Sequence, residues 1–195
     1  MTYVFDPDKV IIEEPTVPLA RKEDDDYIWR RKEIESDLRM SNAMEKLCTH
    51  EAGHIIYMER AGLPKPSFFG PTITFDGKKF QHCTIGVKPF DLGSYHRTGK
   101  SMVRLARAMA AGGVFLEVLF NCPRDKNGDS GDYALFEAEC KKFYRDDLTR
   151  IYNPPKRWTQ ARSKVRKDLE KNIIKEDAIE RTKEEVMREC FPMVL

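Results

Sequence analysis

The chain of 195 residues is long enough for one domain with a buried core, and its 34% charged and 41% hydrophobic residues are typical of a soluble protein rich in surface helices. A net charge of +2 gives no general attraction to nucleic acid or membranes, and no apolar run reaches the ~18 residues needed to span a bilayer. The five cysteines are scattered without C-x-x-C spacing and no secretory signal precedes them, which indicates reduced thiols in a cytoplasmic protein.

The residue pattern divides the chain into three segments. Residues 1–22 contain prolines, among them Pro15 and Pro18, and no sustained periodicity, which predicts an extended N-terminal arm. Residues 23–153 alternate helical and strand-like patterns, so we expect one α+β domain that is mainly helical. Residues 154–195 are highly charged and predict a helix or helix pair that packs on this domain or extends it.

The domain is expected to begin with two successive helices. A charged helix starts at Asp24, and Asn42, followed three residues later by a glutamate, resembles a capping box that would start a second helix. This second helix should end at Ala61, because Gly62 suits the position after a helix and Pro64 forbids continuation.

A β-hairpin and two further helices are predicted next. β-branched and aromatic residues flank the turn dipeptide Asp76-Gly77, which favours short strands between about residues 72 and 87. The edge of such a sheet could hold an extended peptide. Helical spacing returns in TGKSMVRLARAMAAGGVFLEVLF, where the pair Gly112-Gly113 would let two helices approach closely, and again in YALFEAECKKFYRDDL.

The segment HEAGH, residues 50–54, has the H-E-x-x-H pattern of zinc peptidases. Residues four apart share a helix face, so His50 and His54 can bind one ion, and Glu51 beside it suits a general base. The competing interpretation is a partly buried histidine pair on a structural helix. Gly53 argues against it, because a glycine inside a helix costs roughly 1 kcal/mol relative to alanine unless close packing favours it.

A catalytic zinc site needs a third protein ligand and one open position. Candidates are Glu117 on a later helix, and Asp129 and Asp132 in the segment GDSGDYALF. Asp132 lies near a predicted helix start, where backbone N–H groups can fix a carboxylate, although a plain helix cap fits the same position. Glu117 could instead support the site by contacting a ligand. The residues alone leave these alternatives open.

HEAGH, followed by a strand hairpin, by AAGGVFLEVLF and by SGDYALFEAECKKF, resembles the peptidase domain of the FtsH-type zinc metallopeptidases over roughly residues 43–150. The resemblance implies a zincin-like fold with a small β-sheet at the active-site rim. It also implies Zn²⁺ held by His50, His54 and Asp132, with Glu51 as the general base. GGVFLEV lacks the arginine and paired acids that follow the family's glycines, and the family's ATPase module has no counterpart here. The implied function is therefore an ATP-independent metalloendopeptidase that hydrolyses a protein or peptide substrate.

Two other functions remain open at this point. One is a regulatory zincin in which Glu117 is the third ligand, and the other is a catalytically inactive module of the same fold that binds proteins. Glu51 favours catalysis, because a structural zinc needs no general base. A nucleic-acid partner is not expected, since the basic residues after Trp158 alternate with acidic ones. The charged C-terminal helices leave a homo-oligomer open.

Overall fold

The computed structural model describes residues 2–4, 23–76, 79–87, 99–123, 128–144 and 153–191. The elements, in chain order, are strand β1 (Thr2–Val4), helix α1 (Glu23–Ala61), strands β2 (Phe68–Asp76) and β3 (Lys79–Val87), and helices α2 (Gly99–Leu119), α3 (Gly128–Tyr144), α4 (Pro154–Glu170) and α5 (Glu176–Cys190). The expected α+β, mainly helical class is confirmed. Within these ranges, no helix is both long and apolar enough to cross a membrane.

Helix α1 is a single helix of 39 residues, so the expected second helix start at Asn42 is wrong. Asn42 is exposed, and neither proline nor glycine occurs in α1 before Gly53, so nothing interrupts the backbone hydrogen bonds there. The predicted end is confirmed. Gly62 has a φ of 68°, and the Leu63 N–H donates to the Met58 carbonyl at 2.9 Å, which closes the last turn.

The sheet is small and antiparallel, with strand order β1-β2-β3. Thr72 of β2 lies opposite Thr84 of β3, which confirms the expected hairpin, although residues 77 and 78 at its tip lie outside the described residues. β1 pairs with β2 from the other side, Thr2 opposite Thr74. The rest of the predicted N-terminal arm, residues 5–22, also lies outside the described residues.

The main core forms where α1, α2, α3 and α4 meet. Helix α2 is buried on most of its circumference, which its small residues permit; its fully or almost fully buried members are Ala106, Ala108, Ala110, Ala111, Val114 and Phe115. From α3, Phe136 reaches this core and stacks on Trp158 of α4, with ring centroids 5.8 Å apart. The C-terminal segment therefore packs into the same core as the segment before it.

A second apolar cluster joins α1 to the sheet and to α5. Cys48 of α1, Phe68 of β2 and Val186 of α5 are all buried in it. Helix α1 thus packs against α2 on one side and against the sheet and α5 on another. Its last third, residues 49–61, contains the HEAGH segment and lies between the two clusters, because residues 51–58 are all buried.

Candidate metal centre

The structure brings together His50 and His54 of α1 and Asp132 of α3. The two imidazole Nε2 atoms lie 3.0 Å apart. Asp132 Oδ2 lies 3.4 Å from the Nε2 of His50 and 3.3 Å from that of His54. Among the described residues, this is the group of His, Cys, Asp or Glu side chains whose ligand atoms converge closely enough to hold a metal ion.

The spacing of the three atoms suits a small tetrahedral ion. Zinc–nitrogen and zinc–oxygen bonds of about 2.0–2.1 Å at tetrahedral angles place neighbouring ligand atoms roughly 3.3 Å apart. The observed separations of 3.0, 3.3 and 3.4 Å lie close to this value. Three ligands also leave the fourth tetrahedral position open, as catalytic zinc sites do.

The tautomer of His54 follows from its second ring nitrogen. The Nδ1 atom lies 2.8 Å from the backbone carbonyl oxygen of Ala108 in α2. Because a carbonyl only accepts hydrogen bonds, Nδ1 carries the proton and donates it, and the neutral ring presents a lone pair on Nε2. Metal-binding histidines commonly have such a bond, which fixes both the tautomer and the ring direction.

Asp132 contributes a buried atom whose hydrogen-bonding capacity is unused. Its Oδ2 is the one buried side-chain nitrogen or oxygen, among the described residues, that makes no hydrogen bond. Such an acceptor costs about 1–3 kcal/mol if it stays unsatisfied, and a cation between it and the imidazoles would satisfy it. Helix α3 begins at Gly128, four residues earlier, so Asp132 lies in the second turn and does not cap the helix.

The electrostatics of the group favour a positive charge at its centre. Burial alone lowers the pKa of His54, but the Asp132 carboxylate outweighs burial and raises this pKa to about 9. Burial raises the pKa of Asp132, yet the charges of His54 and His50 hold it well below its usual range. With both imidazoles neutral, three electron-pair donors face each other, and a bound proton or metal ion relieves their repulsion.

Helix α2 makes room for an ion through glycine. A Cβ atom on Gly112 would lie 2.5 Å from His54 Nε2 and 2.6 Å from His50 Nε2, so the glycine leaves the space beside both nitrogen atoms free. Gly53 has the matching role on α1, because its Cβ would lie 3.0 Å from Phe115 Cγ and 3.1 Å from the Ala111 carbonyl. The expectation that close helix packing favours Gly53 and the glycine pair in α2 is confirmed at Gly53 and Gly112.

Glu51 is buried next to the first ligand, with 6% of its surface exposed. It follows Cys48 by three residues and therefore lies on the side of α1 that meets α5 and the sheet. Its charge contributes to raising the pKa values of His54, Cys48 and Cys190, which shows that the carboxylate is within electrostatic reach of all three.

Glu117 is directed elsewhere in the structure. Its two carboxylate oxygens form ion pairs with Arg162 and Arg166 of α4, and its side chain is nearly buried. Glu117 follows Gly112 by five residues, which rotates it by about 140° around α2, away from the side that faces the histidines. The side chain of Asp129, the other candidate, lies outside the described residues.

Two contributors to the site could not be recognised as such in the sequence. The Ala108 carbonyl acts through the backbone, so no side-chain pattern reveals it. Gly112 was expected to allow helix packing, and only the structure shows that it faces the two imidazoles.

Comparisons with models of known protein families, with curated proteins and with solved structures find no match to this chain.

Proposed function

We propose that this chain is an ATP-independent zinc metalloendopeptidase of the kind that the FtsH-type resemblance implies. The observation that carries the proposal is the convergence of His50 Nε2, His54 Nε2 and Asp132 Oδ2 at tetrahedral spacing, with Glu51 on the same helix. The donor set of two imidazoles and one carboxylate is typical of catalytic zinc. A purely structural zinc would more commonly have four protein ligands and cysteine among them.

The chain's own residues have distinct tasks in the proposed reaction. His50, His54 and Asp132 would hold the ion, and the bond from His54 Nδ1 to the Ala108 carbonyl keeps one ligand oriented. When bound, zinc lowers the pKa of a water molecule toward neutrality and polarises the carbonyl of the scissile peptide. A Glu51 carboxylate oxygen would accept one proton of the attacking water and deliver it to the leaving amine nitrogen, so that one water and one peptide bond give a carboxylic acid and an amine.

Metal content is the first measurement that tests the proposal. Elemental analysis of the purified wild-type chain should give about one zinc per chain, and Asp132→Ala should lose it, because two histidines alone hold zinc weakly. Zinc retained by Asp132→Ala but lost by Glu117→Gln would contradict the ligand set and favour the regulatory zincin. A chain without zinc, even after zinc is added back, would refute the proposal.

Activity is measured separately with an unfolded protein. Casein hydrolysis without ATP should fall by about 10²–10⁴-fold in Glu51→Gln, since a general base contributes this much to the rate. Zinc content should stay at the wild-type value in this variant, which distinguishes loss of the base from loss of the metal. Full zinc occupancy with equal hydrolysis by both proteins would point to a contaminant, and the chain would then be a protein-binding module that retains a metal.

A further inference from the structure

A second cavity, separate from the metal centre, lies between α1, α2 and α4. It has a volume of about 240 Å³ and shares no residue with the group of His50, His54 and Asp132. Its cationic residues come from all three helices; they are Arg60 of α1, Arg104 and Arg107 of α2, and Lys164 of α4. The fold therefore brings four cationic side chains from distant parts of the sequence to one concave site.

The cavity contains one carboxylate, and its charge is already compensated. Asp168 is 5% exposed; its Oδ2 accepts a hydrogen bond from the Tyr57 hydroxyl at 3.0 Å, and its Oδ1 pairs with Lys164 Nζ at 2.5 Å. Three guanidinium groups then remain at the cavity. Among the described residues that line it, no further carboxylate balances them.

Two of the three guanidinium groups lie within electrostatic reach of Tyr57, which lines the cavity. Burial and then Asp168 raise the pKa of Tyr57, and Arg60 and Arg107 oppose this rise. Ala61 and Ile173 supply an apolar wall that reduces contact with water. Cations in a concave site with low-dielectric walls concentrate positive potential and attract anions.

We propose that this cavity binds a small phosphate-bearing anion. The planar guanidinium group donates two parallel hydrogen bonds to phosphate oxygens, which lysine cannot do, and the cavity contains three such groups. A phosphate chain offers several oxygens and at least two negative charges, which matches the three arginines. Because both oxygens of Asp168 are engaged by Tyr57 and Lys164, its charge is screened from the incoming anion.

The test is calorimetric titration of the zinc-loaded wild-type chain with inorganic pyrophosphate at low ionic strength. One pyrophosphate should bind per chain, and Arg60→Gln and Arg104→Gln should each weaken binding about tenfold, since a hydrogen bond to a charged group is lost. Both residues are exposed, so the variants should fold. Arg188→Gln on α5 removes the same charge away from the cavity and should bind as the wild type does.

Three results would overturn the proposal. The first is no binding, and the second is equal weakening by Arg188→Gln, which would indicate general attraction to a basic chain. The third is loss of binding in Asp132→Ala with no effect of Arg60→Gln, which would place the pyrophosphate on the metal. Retained binding in Asp132→Ala supports the cavity even if the metallopeptidase proposal fails.

The source of the phosphate is distinguished by competition. A nucleoside diphosphate that displaces pyrophosphate and depends on Arg60 and Arg104 in the same way supports the site and identifies a nucleotide as the source of the phosphate. A single-stranded oligonucleotide that binds more tightly and is weakened equally by Arg188→Gln would overturn the proposal in favour of a general nucleic-acid surface.

Discussion

Gly112→Ala is expected to close the metal centre without unfolding the chain. The added Cβ would lie 2.5 Å from His54 Nε2 and 2.6 Å from His50 Nε2, whereas non-bonded atoms of this kind approach to roughly 3.5 Å. The two imidazoles would therefore have to move by about 1 Å. His54 has little freedom to do so, because its Nδ1 is bonded to the Ala108 carbonyl.

The expected loss of zinc affinity follows from the atoms that the added methyl group displaces. Disturbing the contacts that merely orient a metal ligand lowers metal affinity by about 10–100-fold, and Gly112→Ala displaces the ligands themselves. We therefore expect zinc affinity to fall by at least about 100-fold, or ~2.8 kcal/mol. In the metal-free chain, overpacking should lower the free energy of unfolding by about 1–3 kcal/mol. The higher helix propensity of alanine should offset about 1 kcal/mol of this loss.

The assay is competition for zinc between the protein and a chromophoric chelator, with urea unfolding of the metal-free chains alongside. Gly131→Ala is the matched control, since it makes the same change in a helix one residue before Asp132, and its Cβ would meet no atom within 4 Å. That control should keep wild-type zinc affinity. Wild-type affinity in Gly112→Ala as well would refute the reasoning, because the ion could then not lie between Gly112 and the two imidazoles.

The remaining predictions concern a buried ion pair, a pH dependence and a thiol. Glu117→Gln should lower the free energy of unfolding, measured in urea, by about 1.5–3 kcal/mol, because two arginines lose their charged hydrogen-bond partner. Zinc content should stay unchanged in this variant, and loss of zinc would make Glu117 a ligand. In the metal-free chain, His54 has a raised pKa of about 9, so its stabilising charge is fully present below about pH 6.5 and is lost as pH rises through 9. Urea unfolding should show this decrease in the wild type and a weaker one in Asp132→Asn; equal slopes would contradict it. Burial raises the pKa of the Cys48 thiol to about 12, so iodoacetamide at pH 8 should alkylate Cys48 only when the chain unfolds. The half-buried Cys122 should react in the folded chain. Mass spectrometry distinguishes the two sites, and equal alkylation rates would contradict this prediction.

The sequence was most informative where local chemistry determines the structure. Gly62 and the residues before it predict the end of α1, because a positive φ is available to glycine at little cost and no longer-range contact is needed. The hairpin follows from β-branched residues around a turn dipeptide in the same way. By contrast, Asn42 has the chemistry of a helix cap but lies inside α1, since a capping side chain does not by itself break a helix.

The candidate site was only partly predictable, because only some of its geometry is determined locally. His50 and His54 are one turn apart, so their convergence follows from helix geometry alone. Which acidic side chain joins them depends on how α2 and α3 pack, and no local pattern encodes the direction in which Glu117 or Asp132 points. The structure directs Glu117 toward the arginines of α4 and Asp132 toward the imidazoles.

The separation of the ligands along the chain has a consequence for how the metal is acquired. Asp132 follows His54 by 78 residues and comes from a different helix, with α2 supplying Gly112 between them. In a nascent or unfolded chain the two imidazoles are close together but Asp132 is not near them, unlike in a zinc finger, whose closely spaced ligands let the ion drive folding. We expect metal to enter after the helices have packed. Under zinc limitation, a cell would then accumulate a folded, metal-free form that later zinc supply could load without renewed synthesis.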